Sequence, residues 1–169
     1  MADETISFIL FPDPRLTRVA ISQPVDDELR SIGAALLQAA RDAQAYGLAA
    51  AHIGQVAPVA VVSLADPSTR DYRLLYNPRI LLTSGSEVSG KEGSVSMPGI
   101  EVDVVRPENA RIGFDDEAGN PHELELTGFA ARVAQHEIDQ VNGVLFLSRV
   151  SRLKRDTAIK RFGKLARKG

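Results

Sequence analysis

The chain has 169 residues, 44% of them hydrophobic and 25% charged, with a net charge of −2. That length and composition predict one globular domain able to bury a continuous core. The chain has no cysteine, so both a disulfide framework and thiolate metal ligation are excluded. Residues 1–6 carry Asp3 and Glu4 and no apolar run, and no stretch reaches about 18 consecutive apolar residues. A soluble cytoplasmic protein, without a leader and without a membrane partner, is the expectation.

The elements follow in chain order. After a proline-rich start (Pro12, Pro14, Pro24), Asp26 caps a predicted amphipathic helix that reaches Tyr46, with Leu29, Ile32, Leu36, Ala39, Ala40 and Ala43 at helical spacing. Val59 to Leu64 has the length and character of a strand, and Leu74 to Leu82 extends the sheet across the Asn77-Pro78 break. Ile100 to Val105 alternates apolar with acidic residues, and Arg111 to Asp115 alternates again. The turn at Asp116 to Asn120 leads into His122 to Leu126, which predicts a hairpin with one wet face. Thr127 starts a second helix that stops at Gly143, and residues 151–167 form a third. Antiparallel strand groups with helices at three separate points predict an α+β domain spanning 1–169, not alternating βαβ units.

Charge is unevenly spread. Residues 149–169 hold nine Lys or Arg and one acid, Asp156, a net of +8, against −10 for the first 148 residues. Such a helix can orient the molecule toward a polyanion, or its late cations can simply complement the helix dipole on a solvated face.

Three segments, in order, resemble the motifs of the peptide deformylases, metalloenzymes that remove the formyl group from the initiator methionine of new bacterial proteins. Gly47-Leu48-Ala49-Ala50-Ala51-His52 is similar to the family's glycine-rich segment ending in glutamine. Glu92-Gly93-Ser94-Val95-Ser96 resembles E-G-C-L-S, and Gln135-His136-Glu137-Ile138-Asp139-Gln140 resembles Q-H-E-x-D-H. The flanks match as well: Asp13-Pro14, Tyr76-Asn77-Pro78, Asn142-Gly143-Val144-Leu145-Phe146 and Ser151-Arg152-Leu153 all have family counterparts. The resemblance runs from about residue 8 to residue 157. It implies the family fold, with antiparallel sheets around the central helix that carries His136-Glu137, an N-terminal helix and a C-terminal helix.

The resemblance also implies roles. The family holds Fe2+, Zn2+ or Ni2+ through the cysteine and both histidines, with one position open for water. The glutamate shuttles the proton, and the glutamine with a backbone N–H stabilises the oxyanion. Transferred residue by residue, the ligand positions are His136, Ser94 and Gln140, and the catalytic positions are Glu137 and His52. Serine offers a hydroxyl for a thiolate, and Gln140 an amide oxygen for an imidazole. Each lost ligand costs roughly 3–4 kcal/mol, so two weaken binding by on the order of 10⁴ to 10⁵. The expectation is therefore no metal, or one weakly bound, and deformylation lost or strongly weakened.

Two alternatives stay open. His52 and His136 can pair as a rebuilt metal site for an active amide hydrolase, completed by Ser94, Glu137 or Gln140. Ser94 can also act as a nucleophile with His52 or His136 as its base, although the G-x-S-x-G elbow is absent. His122, in the predicted hairpin, is expected at the surface. By resemblance, a pocket for a formyl-methionyl or other peptide N-terminus is formed by Tyr46, Gly47, Gly93, Val95, Phe129 and Val133. Tyr46 stands where the family has a smaller aliphatic residue. The resemblance further implies a ribosome contact through Lys154, Arg155, Lys160 and Arg161 of the basic helix.

Overall fold

The computed structural model describes residues 7–65 and 68–168; the leader expectation at residues 1–6 lies outside the described residues. Helix α1 spans Asp27–Ala43 and starts as predicted: Asp26 accepts a 2.9 Å hydrogen bond from the Leu29 backbone N–H. It ends before Tyr46, because Gln44 takes a left-handed conformation (φ 53°) and returns its N–H to the last carbonyls. Tyr46 is thereby released from the helix to lead into strand β1, Gly47–Ala49.

Strand β2 (Val59–Ser63) pairs antiparallel with β1 and with β3 (Tyr72–Glu92); β4 (Val102–Asp115) and β5 (Pro121–Thr127) complete one five-stranded meander. The groups of strands expected from sequence thus join into a single sheet. Asn77-Pro78 is a bulge and not an end. Asn77 (φ 49°) bonds both backbone groups of Gln23 through its side chain, and the ladder shifts register between Tyr76 and Arg79. Likewise β4 runs straight through Pro107, which sits beside the register shift between Ser84 and Glu87, where a missing N–H is tolerated.

β2 is buried along its whole length because a helix covers each face. Val59 and Val61 pack with Leu29, Leu36, Ala39 and Ala40 of α1. Val62 points the other way, to Ala131, Ala134 and Ile138 of α2 (Gly128–Val141). A strand with two buried faces reads as a continuous apolar run, which is the pattern the sequence carries there. Helix α3 (Arg152–Lys168) docks through Ala158 and Phe162 on Met97, Ile100, Val104 and Phe146, leaving its basic residues outward. Among the described residues, no helix is long and apolar enough to cross a membrane.

The proline-rich start is ordered by what it joins. Ile9 N–H bonds the His52 carbonyl, Phe11 N–H the Ser96 carbonyl and Ala20 N–H the Val141 carbonyl, each at 2.9 Å. One extended segment therefore ties together the three motif-bearing parts of the chain.

Candidate functional site

The motifs converge on a cleft of about 430 Å³ lined by β1, the end of β3, the segment after it and α2. Tyr46, Gly47, His52, Gly93, Ser94, Val95, Phe129, Val133, His136 and Glu137 all border it. Gln140 does not border it. Its side-chain N–H donates to the Leu16 carbonyl of the N-terminal segment, and its Oε1 is buried without a partner. Residues 136 and 140 share a helix face, but the strap covers the second of them. His122 lies exposed, 2.7 Å from Asp116 and stacked on Phe114.

The mouth of the cleft is aromatic. Tyr46 and Phe129 meet edge to face at 4.8 Å, and the Arg70 guanidinium lies 4.0 Å above the Tyr46 ring. Gly47 is required at the floor. A Cβ there would stand 2.8 Å from Val133 Cγ1 and 2.9 Å from Glu137 Cγ, so any side chain would displace Glu137.

His52 is fully buried, and its chemistry is set by one backbone amide. The Ala49 N–H donates to His52 Nδ1 at 2.9 Å. Nδ1 is therefore the acceptor, and the ring proton sits on Nε2, which faces Ser94 Oγ at 3.4 Å. Burial, reinforced by nearby His136, pushes His52 down to about 3, so the ring is neutral. Ser94 Oγ also accepts the Ser96 N–H at 3.1 Å. Glu137 Oε1 lies 3.9 Å from His52 Nδ1, beyond hydrogen-bond reach.

Ser94, His52 and Glu137 thus stand in the order of a nucleophilic triad but with the wrong tautomer. A base needs a lone pair on Nε2, and Nε2 carries the proton. The same amide bears on metal ligation. Nδ1 is occupied, and freeing Nε2 would require a proton on Nδ1 facing the Ala49 N–H.

His136 turns Nδ1 to Glu92 Oε1 at 2.8 Å. Burial works against the imidazolium, but Glu137 and Glu92 outweigh it and hold His136 above its usual value. Glu92 is itself the hub of a buried network that sequence reasoning quoted without a role. Arg106 forks onto it at 2.6 and 2.9 Å, Arg132 adds 2.7 Å, and Arg106 continues to Asp139 at 2.9 Å. Arg149 closes the far side of Asp139. Burial would raise Glu92, yet the bonds from His136 and Arg106 hold it at about 2. Glu137 has no such support. Burial pushes it up to about 7, and its Oε1 has no hydrogen-bond partner. Among the described residues, no group of three or more His, Cys, Asp or Glu is placed to hold a metal ion.

Residues 6–156 match the polypeptide deformylase family model. The chain is 40% identical to a peptide deformylase of Alkalilimnicola ehrlichii over 97% of its length and 92% of the relative's. It is 41% identical to a peptide deformylase-like protein of Rhizobium meliloti, covering 94% of this chain and 92% of that one. The crystal structure of peptide deformylase from Ehrlichia chaffeensis superposes with a TM-score of 0.87 at 30% identity, covering 98% of each chain. With its fold, the order of its three motifs and its relatives in agreement, the chain belongs to the peptide deformylase family.

Proposed function

We propose that this protein keeps the peptide cleft of its family and has lost metal-dependent deformylation. The observation that carries this reading is the Ala49 N–H on His52 Nδ1, which removes the one new ligand type near the site. The remaining donors do not fit a divalent cation. Ser94 offers a hydroxyl already accepting two hydrogen bonds, Gln140 is turned to the N-terminal strap, and His136 has only Nε2 left. A single imidazole is far from the three protein ligands that a catalytic site needs. Without a set of metal ligands, Glu137 would lack the metal-activated water that the family's glutamate deprotonates.

What the residues can still do is bind. Tyr46, Phe129 and Val133 give an apolar wall suited to the first side chain of a peptide, and the β1 backbone beside Gly47 gives the main-chain partners of an extended strand. The outward lysines and arginines of α3, Lys154, Lys160 and Arg161 among them, suit a phosphate-rich surface such as the ribosome. The test is formate release from an N-formylmethionyl peptide, using protein purified anaerobically without chelator and assayed with Fe2+, Zn2+ or Ni2+ added. The unmodified chain should release none above background. The combined change Ser94→Cys, Gln140→His and His52→Gln should gain metal-dependent release. Chelator-sensitive turnover by the unmodified chain would overturn the reading.

A further inference from the structure

The inner end of the cleft holds an unpartnered acceptor. Glu137 is 5% exposed and borders the cleft, yet its Oε1 accepts nothing. Two of the bases nearby point elsewhere: His136 turns Nδ1 to Glu92, and Arg132 bonds Glu92 and the carbonyls of Val88 and Val104. His52 donates toward Ser94 and is neutral, so it offers Glu137 neither a proton nor a charge. The fixed charges lining the cleft are Lys91 and Arg132 against Glu92, Glu101 and Glu137; Glu101 is exposed to solvent, whereas Glu137 is buried with an unpartnered oxygen. A buried polar group without a partner is costly, and a buried carboxylate more so, unless a ligand completes it.

We propose that the cleft selects peptides with a free, unformylated N-terminus, whose α-ammonium group hydrogen-bonds Glu137 while an apolar first side chain sits against Tyr46, Phe129 and Val133. An ammonium brings three donors and one positive charge to a buried carboxylate oxygen that has no hydrogen-bond partner of its own. A formamide brings a single N–H and an additional acceptor oxygen to the same place. Charge-assisted hydrogen bonds are roughly twice as strong as neutral ones, and the difference corresponds to about a tenfold preference for the free amine. Ser94 retains a hydroxyl proton, since its oxygen already accepts from Ser96 and faces the His52 Nε2–H, and that proton suits the carbonyl of the first residue.

This inference rests on the cleft still binding peptide N-termini, as proposed above. The test uses the full unmodified chain and three forms of Met-Leu-Phe, with the N-terminus free, formylated or acetylated, with affinity read by calorimetry. The expected order is the free amine about tenfold tighter than either blocked form. Glu137→Gln should abolish that preference while the blocked peptides keep their affinity. Equal or tighter binding of the formylated peptide, or no binding of any form, overturns the inference. Formate in the cell after the formyl-peptide titration would instead show that the enzyme reading is right and the binding-protein reading wrong. The comparison of peptides on the unmodified chain needs no variant, so it stands even if Glu137→Gln fails to fold.

Discussion

At the residue scale, the site is governed by which groups have partners. Glu92 is tied to His136 and to two arginines, whereas Glu137 is buried with an oxygen that has no hydrogen-bond partner. Its carboxyl is held near 7 when folded, against an ordinary value of 4.5. For an acid raised on folding, the native state binds more protons between those two values. The Glu137 contribution to stability is therefore fullest below about pH 4.5, falls by on the order of 3 kcal/mol as pH rises to 7 and levels off above it. His52, held neutral by burial, contributes in the opposite sense below about pH 6.5. Urea denaturation of the wild type and of Glu137→Gln at pH 5, 6, 7 and 8 reads the Glu137 contribution as the difference between the two profiles, the wild type losing stability relative to the variant as pH rises. A wild-type stability that does not fall relative to the variant across that window would contradict the unpartnered buried carboxyl. The identity of Ser94, His52 and Gln140 was legible from the motifs, but their hydrogen bonds were not. The tautomer of His52 depends on a backbone N–H three residues earlier, in a turn whose geometry leaves no side-chain signature.

At the element scale, helix boundaries and strands with a single clear period were readable. Asp26 marked the start of α1, and β2 announced its two buried faces as an unbroken apolar run. Long strands with bulges were not. Residues 83–92 of β3 are mostly exposed and polar, and they are held in the sheet by pairing with β4 instead of by an apolar face of their own. The buried network was missed for a related reason. Arg106 continues the inward phase of Val102 and Val104 in β4, where a charge has no apolar reading, and it is 4% exposed because Glu92 and Asp139 meet it from β3 and α2. Removing one member leaves buried charge uncompensated. Arg106→Met should cost about 3–5 kcal/mol, measured by denaturant unfolding, because Glu92 loses both bonds of its fork. A cost below about 1 kcal/mol would mean that Arg132 alone satisfies Glu92.

At the scale of the whole molecule, the chain keeps the peptide deformylase fold, and the proposed loss of metal chemistry concerns only its centre. α1 and α2 clamp the sheet, the N-terminal strap joins the three motifs, and the aromatic cleft is built on that frame. These contacts are all between protein groups, and the residues at the family's ligand positions have protein partners as well. Gln140 reaches Leu16, and Ser94 takes the Ser96 and His52 N–H groups. The resemblance across almost the whole chain made the architecture foreseeable from sequence, while the way each replaced ligand is re-used follows from tertiary contacts more than one hundred residues apart in the case of Gln140 and Leu16. The central claim is that this centre no longer holds a metal. Elemental analysis of the full chain, purified anaerobically without chelator and equilibrated with excess Fe2+, Zn2+ or Ni2+ before desalting, measures it most directly. The account predicts far less than one ion per chain; one tightly held ion per chain, lost in His136→Ala, would contradict it.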